Sequence, residues 1–486
     1  MNKNYIYICM LAVLSACSSA PKADKMVDKQ PVIAPDYAGV TIPSNIAPLD
    51  FKIVGGGDAY ATFAGGGEQF SVHGANGCFE IPASKWKKML KAAIGKEITV
   101  SLVSKKDGIW MGYQPFKMII AAEPVDGYIA YRLIAPGYSL WSEMGIYQRD
   151  LENYDQTAIL ENKMTDNGCM NCHSFCMQNP DKMLFHMRAK YPGTMLINGN
   201  TVEKLNTKTD KTISALVYPS WHPSGKYVAF SVNKTNQAFH LNDRNRIEVF
   251  DEASDVVVYD VETHEVVSSD LTSSKAAFET FPTFSPDGKT LYFCSSDSCS
   301  IPKEFKKAKY SLCSISFDPA TRLFGTKVDT LYNAHSDDRS ASFPRVSPDG
   351  RYLMFTKSGY GNFSIWHKDA DLYLVDLASK QIRPLDEVNS KDVESYHSWS
   401  SNSRWFVFGS RRLDGLYTRP FIAYMGKDGK AGKPFLVPQK DPNFYSRFMK
   451  SYNIPEFVKG KVKVRSRVLA LKARNDKGID VKFAEK

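Results

Sequence analysis

Apolar and polar positions alternate along the C-terminal half of the chain, and the alternation arrives in repeated packets. Four stretches align: "YPSWHPSGKYVAFSV" from Tyr218, "FPTFSPDGKTLYFCS" from Phe281, "FPRVSPDGRYLMFTK" from Phe343 and "YHSWSSNSRWFVFGS" from Tyr396. Each opens on an aromatic residue, continues with Pro or His, and places Trp, Phe or Val two positions later. A turn built on Pro-Ser-Gly, Pro-Asp-Gly or Ser-Asn-Ser follows. Proline fixes φ and glycine accepts positive φ, so the chain reverses tightly there. The strand after the turn ends in Phe230, Phe293, Phe355 or Phe408, nine residues beyond Trp221, Phe284, Val346 or Trp399. A second strand–turn–strand lies downstream of each packet, as in "DVVVYDVETHEVV" from Asp255 and "DLYLVDLASKQIRPL" from Asp371. Four strands per unit, repeating every 53 to 63 residues, predict propeller blades that bury one another's faces.

The turns "SPDGK" (from Ser285) and "SPDGR" (from Ser347), each followed by an apolar strand, resemble the TolB-like, WD40-like propeller repeats of bacterial envelope proteins. The resemblance spans about residues 214–437. It implies an all-β chain whose propeller docks a protein partner on one face; propellers serve equally as scaffolds, binders and enzymes, so it implies no reaction. "DKMLFHMRAKYPGTMLINGNTVEKLN" (from Asp181) reads as one more unit, with Phe185 in the phenylalanine column. Five blades are expected, and a sixth if the C-terminal "KVRSRVLALKAR" adds strands that close the ring.

The N-terminal half has another texture. Lys3 and the apolar run Tyr5–Leu14 form a signal-like leader too short to span a bilayer, ending in Leu14-Ser15-Ala16-Cys17. This resembles a bacterial lipobox. It implies that residues 1–17 are signal, that Cys17 is lipidated, and that the chain is anchored in the bacterial cell envelope, at the outer membrane. Residues 18–50, with five prolines, read as a flexible tether. Residues 51–165 read as a small β-rich domain, 166–180 as a linker, 181–440 as the propeller and 441–486 as a closing segment.

Composition changes little: 43% hydrophobic and 23% charged residues are ordinary for a globular protein, and 12% aromatics suit β architecture. The formal charge is +10, but its clusters ("KEFKKAK", "KGKVKVRSR") are short and scattered and read as solvated surface, so no nucleic-acid partner is expected. Nine cysteines are present. Cys9 leaves with the signal and Cys17 takes lipid, so the seven that remain cannot all be paired.

The linker carries the candidate chemistry. Cys169-Met170-Asn171-Cys172-His173 matches C-x-x-C-H, the attachment signature of a c-type haem. Each thiol would add across one vinyl group, and His173 would ligate the haem iron. His186 is the first candidate for the distal ligand, with Met183 as a second; a methionine would raise the potential relative to a second histidine. Three other readings stay open. Cys169 and Cys172 can form a disulfide clasp. Cys176 can extend the motif to a zinc or cluster site. A thiol oxidoreductase lacks its βαβ context here. Cys294 and Cys299 flank a tight loop, with Cys313 as a competing partner. His222, His397 and Trp399 fall in repeat columns and read as packing. No G-x-S-x-G, H-E-x-x-H, P-loop or Rossmann fingerprint occurs, so neither catalytic residues nor a nucleotide cofactor are expected. The first functional expectation is a lipid-anchored haem protein that carries electrons or senses a small ligand. The alternative is a non-redox protein-binding scaffold whose C-x-x-C is a disulfide.

Overall fold

A computed structural model describes residues 20–135 and 143–484; Cys17 and the leader lie outside the described residues. Residues 20–125 build a small β-rich unit. Its main sheet joins Ala59–Gly65, Glu68–Gly74, Glu97–Lys106, Ile109–Tyr113 and Phe116–Ile120 antiparallel, and Ala83–Ala92 forms a helix that turns Trp86, Met89 and Leu90 inward. The expected tether is part of this unit. Lys25–Val27 and Thr41–Ile42 extend the sheet in parallel at its edges, and Ile33, Tyr37, Val40, Ile42 and Leu49 are buried. The prolines of 18–50 therefore shape a packed strap, because its apolar residues find a core to join.

From Tyr128 to Val458 the described residues form six sheets, each of four strands in blade order, whose innermost strands contact one another around a closed circle. The chain is an all-β propeller. The blade beyond the expected five starts in what the sequence assigned to the N-terminal domain: Tyr128–Ile134, Met144–Asp150 and Gln156–Glu161 are its three outer strands. Its innermost strand, Ser451–Val458, comes from the far end of the chain and pairs antiparallel with Tyr128–Ile134. The ring is thus clasped by strands more than 300 residues apart. This segment, and not "KVRSRVLALKAR", closes it. The latter supplies the helix Ser466–Asn475, whose Leu469, Ala470 and Ala473 pack between the first and second blades. After that helix, Ile479–Asp480 and Lys482–Phe483 run parallel along the outer edges of the second and third blades.

Residues 166–180 are likewise no linker. Cys169–Phe175 is the innermost strand of the second blade, followed outward by Lys182–Arg188, Gly193–Asn198 and Thr201–Asn206. The phenylalanine column lies on the next strand out, and Phe185, Phe230, Phe293, Phe355 and Phe408 are all buried.

Candidate functional site: the propeller channel and its two ends

Each innermost strand carries one bulge with a residue in the left-handed region: Cys172, Tyr218, Phe281, Phe343, Tyr396 and Ile454, with φ between 48° and 54°. The ladder skips there, as between Asn171 and Ser174 or between Thr280 and Thr283. A non-glycine residue in this conformation costs about 1–2 kcal/mol, and the return is convergence on the ring axis. Phe281 meets Phe343 at 4.3 Å between ring centroids, Phe343 meets Tyr396 at 4.5 Å and Tyr218 meets Phe281 at 4.8 Å. Such pairs contribute about 0.5–1.5 kcal/mol each. Together with Ile454 and Cys172 they plug the channel and leave a void of only about 20 Å³.

The alignment gives the C-x-x-C-H motif its place. "Cys172-His173-Ser174-Phe175" is the second-blade version of "Tyr218-Pro219-Ser220-Trp221" and "Tyr396-His397-Ser398-Trp399". His173 holds the position that Pro219, Pro282, Pro344 and Pro455 hold in other blades. Phe175 holds that of Trp221.

A covalent haem does not fit these residues. Cys169, Cys172 and His173 are 5%, 3% and 2% exposed. Cys169 joins the core between the first and second blades, whereas Cys172 belongs to the axial plug, so the two thiols do not share one open edge. The spaces beside His173 measure about 20 and 130 Å³, against roughly 300–1,000 Å³ for an ordinary ligand pocket. Burial pulls His173 down to about 3, with the Arg132 guanidinium acting in the same direction and the backbone of Ile454 and Ala130 opposing it. Burial likewise raises the Cys172 thiol. The expected distal ligands are occupied otherwise. His186 Nδ1 lies 3.2 Å from Thr194 Oγ1, and Met183 is core between the first and second blades. Cys176 sits in a different core, between the second and third blades, and its thiol donates to the His222 carbonyl at 3.7 Å, so it does not extend the motif into a metal site. All seven cysteines of the described residues are free thiols, Cys169 and Cys172 included. Cys294 and Cys313 enter cores on opposite sides of the fourth blade.

The repeat equivalence predicts that His173→Pro folds normally, with a stability change within about 1 kcal/mol. Position 173 lies in the gap of the ladder, and Cys172 already has the backbone of the residues that precede proline in four sister strands. Chemical denaturation of the variant checks this; a loss of several kcal/mol would mean that the imidazole does something the prolines do not.

The plug divides the channel into two unequal ends. The narrow end, about 130 Å³, is lined by His173, Gln178, Arg345, His397 and Glu456 among others. Burial pushes Glu456 up to about 8 although the Phe175 N–H donates to it at 3.0 Å. The wide end is a cavity of about 920 Å³ at the face where the innermost strands begin. Its walls come from the third-blade hairpin Tyr227–Phe239/Ile247–Asp260, from the fifth-blade turn around Trp366, from the sixth-blade loop 411–418, and from Ile134, Ala135 and Ser451 to Asn453 of the first blade. The hairpin is long enough to overhang the channel because its strands continue for 13 and 14 residues, twice the usual length in this ring. A buried polar knot fastens it. His367 Nε2 lies 2.8 Å from Glu248 Oε2, Tyr360 Oη donates to the other Glu248 oxygen, and Asn245 Nδ2 donates to Tyr360 Oη at 3.1 Å. Sequence reading missed this site because its residues lie in the connections, outside the repeat columns. The one available signal was the insertion between "YVAFSV" and "DVVVYDV", longer than in the sister units.

The class that this fold defines is the β-propeller with an appended N-terminal β unit. No protein-family model matches the chain, and no curated protein matches it. Among solved structures it is similar to a DUF4784 family protein from Bacteroides caccae (9% identity, 72% of this chain and 95% of that one, TM-score 0.32). A periplasmic gluconolactonase from Pseudomonas aeruginosa is also similar (12% identity, 64% and 97%, TM-score 0.32). So is a prolyl endopeptidase, of which the match spans less than half (11% identity, 64% and 42%, TM-score 0.33).

Proposed function

We propose that the protein is a non-redox binding propeller, held to an envelope membrane by a lipid on Cys17, that receives a protein partner at the wide end of its channel. The observation that carries this reading is the 920 Å³ cavity, open on one face, walled by four blades and stiffened by a buried knot. The lipobox sequence at Cys17 supports the anchor, and the packing of Cys169, Cys172 and His173 speaks against a redox role. One preparation tests the reading. The chain is produced together with haem-attachment machinery, the cells are fractionated, and the visible spectrum is recorded. The protein is expected in the membrane fraction and colourless, and Cys17→Ala is expected in the soluble fraction. A reduced α-band of c-type haem, lost in Cys172→Ala, overturns the non-redox assignment; a Cys17→Ala protein that stays with the membrane overturns the anchor.

A further inference from the structure

Charge at the wide end leans to one side: the lining carries Arg244, Arg246, Lys368 and Arg411 against Asp243 and Asp414. Arg244 and Arg246 flank the tip of the third-blade hairpin and Arg411 lies in the sixth-blade loop; all three line the cavity. None has a carboxylate within ion-pair distance among the described residues. The acids of the same walls are already engaged. Asp243 pairs with Lys306 at 2.8 Å and accepts the Asn245 N–H, while Asp414 accepts the N–H groups of Leu416 and Tyr417 and faces Arg419 at 3.7 Å. Among the described residues the Arg411 side chain spends only its Nε–H, on Thr418 Oγ1 at 3.2 Å, and its guanidinium stands 5.8 Å over the Trp366 ring. Burial pulls Arg411 down to about 10, against the pull of Asp392 and Asp414.

The arginines are also held ready. Asn245, between Arg244 and Arg246, is buried; its amide donates to Tyr360 Oη and its oxygen accepts the Lys368 N–H at 3.2 Å. The backbone under both arginines is thereby tied to the fifth blade, which lowers the ordering cost of binding. Beside these arginines the same walls expose apolar side chains: Leu241 is 89% exposed, Leu416 68% and Phe239 58%. Aliphatic side chains so exposed gain by burial against other apolar side chains.

Resting on the reading of the wide end as the binding face, we propose that its occupant is an acidic peptide segment of the partner, whose carboxylates meet Arg244, Arg246 and Arg411 while its apolar side chains cover Leu241, Leu416 and Phe239. The guanidinium fork suits carboxylates bidentately, and the leucines supply the area that charge alone does not.

The test uses the full chain and fluorescein-labelled peptides in which Glu alternates with Leu, against counterparts with Gln or Lys for Glu, plus labelled oligogalacturonate. The Glu peptide is expected to bind, to weaken as salt rises, and to lose at least about tenfold in affinity in Arg244→Glu/Arg246→Glu, a pair of exposed substitutions outside the knot. Arg411→Ala is expected to weaken it as well, and Leu416→Asp to remove most of the rest. Equal binding of the Gln peptide, still lost in Leu416→Asp, overturns the acidic assignment and leaves the wide end as the binding face. Preference for oligogalacturonate overturns the peptide assignment. Failure of every probe, or binding indifferent to all these variants, overturns the proposal; in the second case the binding face itself lies elsewhere.

Discussion

Glu248→Ala is expected to destabilise the protein by about 3–5 kcal/mol, read as a fall in the denaturation midpoint, although Glu248 lies far from both chain termini and in no repeat column. Glu248 and His367 are each 2% exposed. The carboxylate takes hydrogen bonds from His367 and Tyr360, so its removal strands the buried His367 donor and the half-buried Tyr360 hydroxyl at once. His367 Nδ1 already has no partner among the described residues, which leaves the ring without compensation. The loss is not confined to stability. Tyr360 holds Asn245, and Asn245 holds the hairpin tip, so amide exchange in the hairpin should quicken well beyond what global unfolding allows. Glu248→Gln, which keeps the shape and one acceptor, is expected to fall between the two. A Glu248→Ala protein within 1 kcal/mol of the parent, with an unchanged hairpin, would show that the knot is incidental.

The contrast between that knot and the repeat columns explains what could be read in the chain. Blades three to six were legible because each must solve one problem: a tight turn, a buried phenylalanine and a bulge before it. The solution leaves the same residues at the same spacing. The first blade obeys the same rule less visibly. "Tyr128-Ile129-Ala130-Tyr131" answers "Tyr227-Val228-Ala229-Phe230", with tyrosine in the phenylalanine column, and "Asn453-Ile454-Pro455-Glu456-Phe457" is its aromatic-Pro packet with isoleucine in front. The two halves of that unit stand at opposite ends of the sequence, where a local comparison cannot join them. The C-x-x-C-H match arises in one of these packets. Cys172 replaces the usual aromatic and His173 the usual proline, so the second-blade packet acquired a cofactor signature while keeping the backbone of its sisters. The cavity was illegible because chemistry there comes from connections of three blades, and only the closed ring brings Arg246, Trp366 and Arg411 to one space.

Ring closure carries the largest expected effect. A chain ending at Lys450 is expected to lose cooperative folding of the propeller. It lacks Ser451–Val458, which leaves Tyr128–Ile134 as an unpaired edge and opens the circle between the sixth and second blades. Tyr452, Phe457 and Val458 leave the core with it, as do Leu469 and Ala473 of the following helix. At about 1.5–3 kcal/mol for each large apolar side chain, the loss is of the order of the entire stability of a typical domain, about 5–15 kcal/mol. A chain ending at Asn475 keeps both the clasp and the helix. It loses the two short parallel strands on outer blade edges and one buried side chain, Val481, with Phe483 packed on it, and the midpoint should fall far less. Differential scanning calorimetry of the three lengths separates the cases, and a peptide of residues 451–486 added in trans should restore part of the lost transition by refilling the empty inner position. If the chain ending at Lys450 melted within a few degrees of full length, the first blade would have to hold without its inner strand, and the two ends of the sequence would not be what keeps the channel, its plug and the wide cavity in one piece.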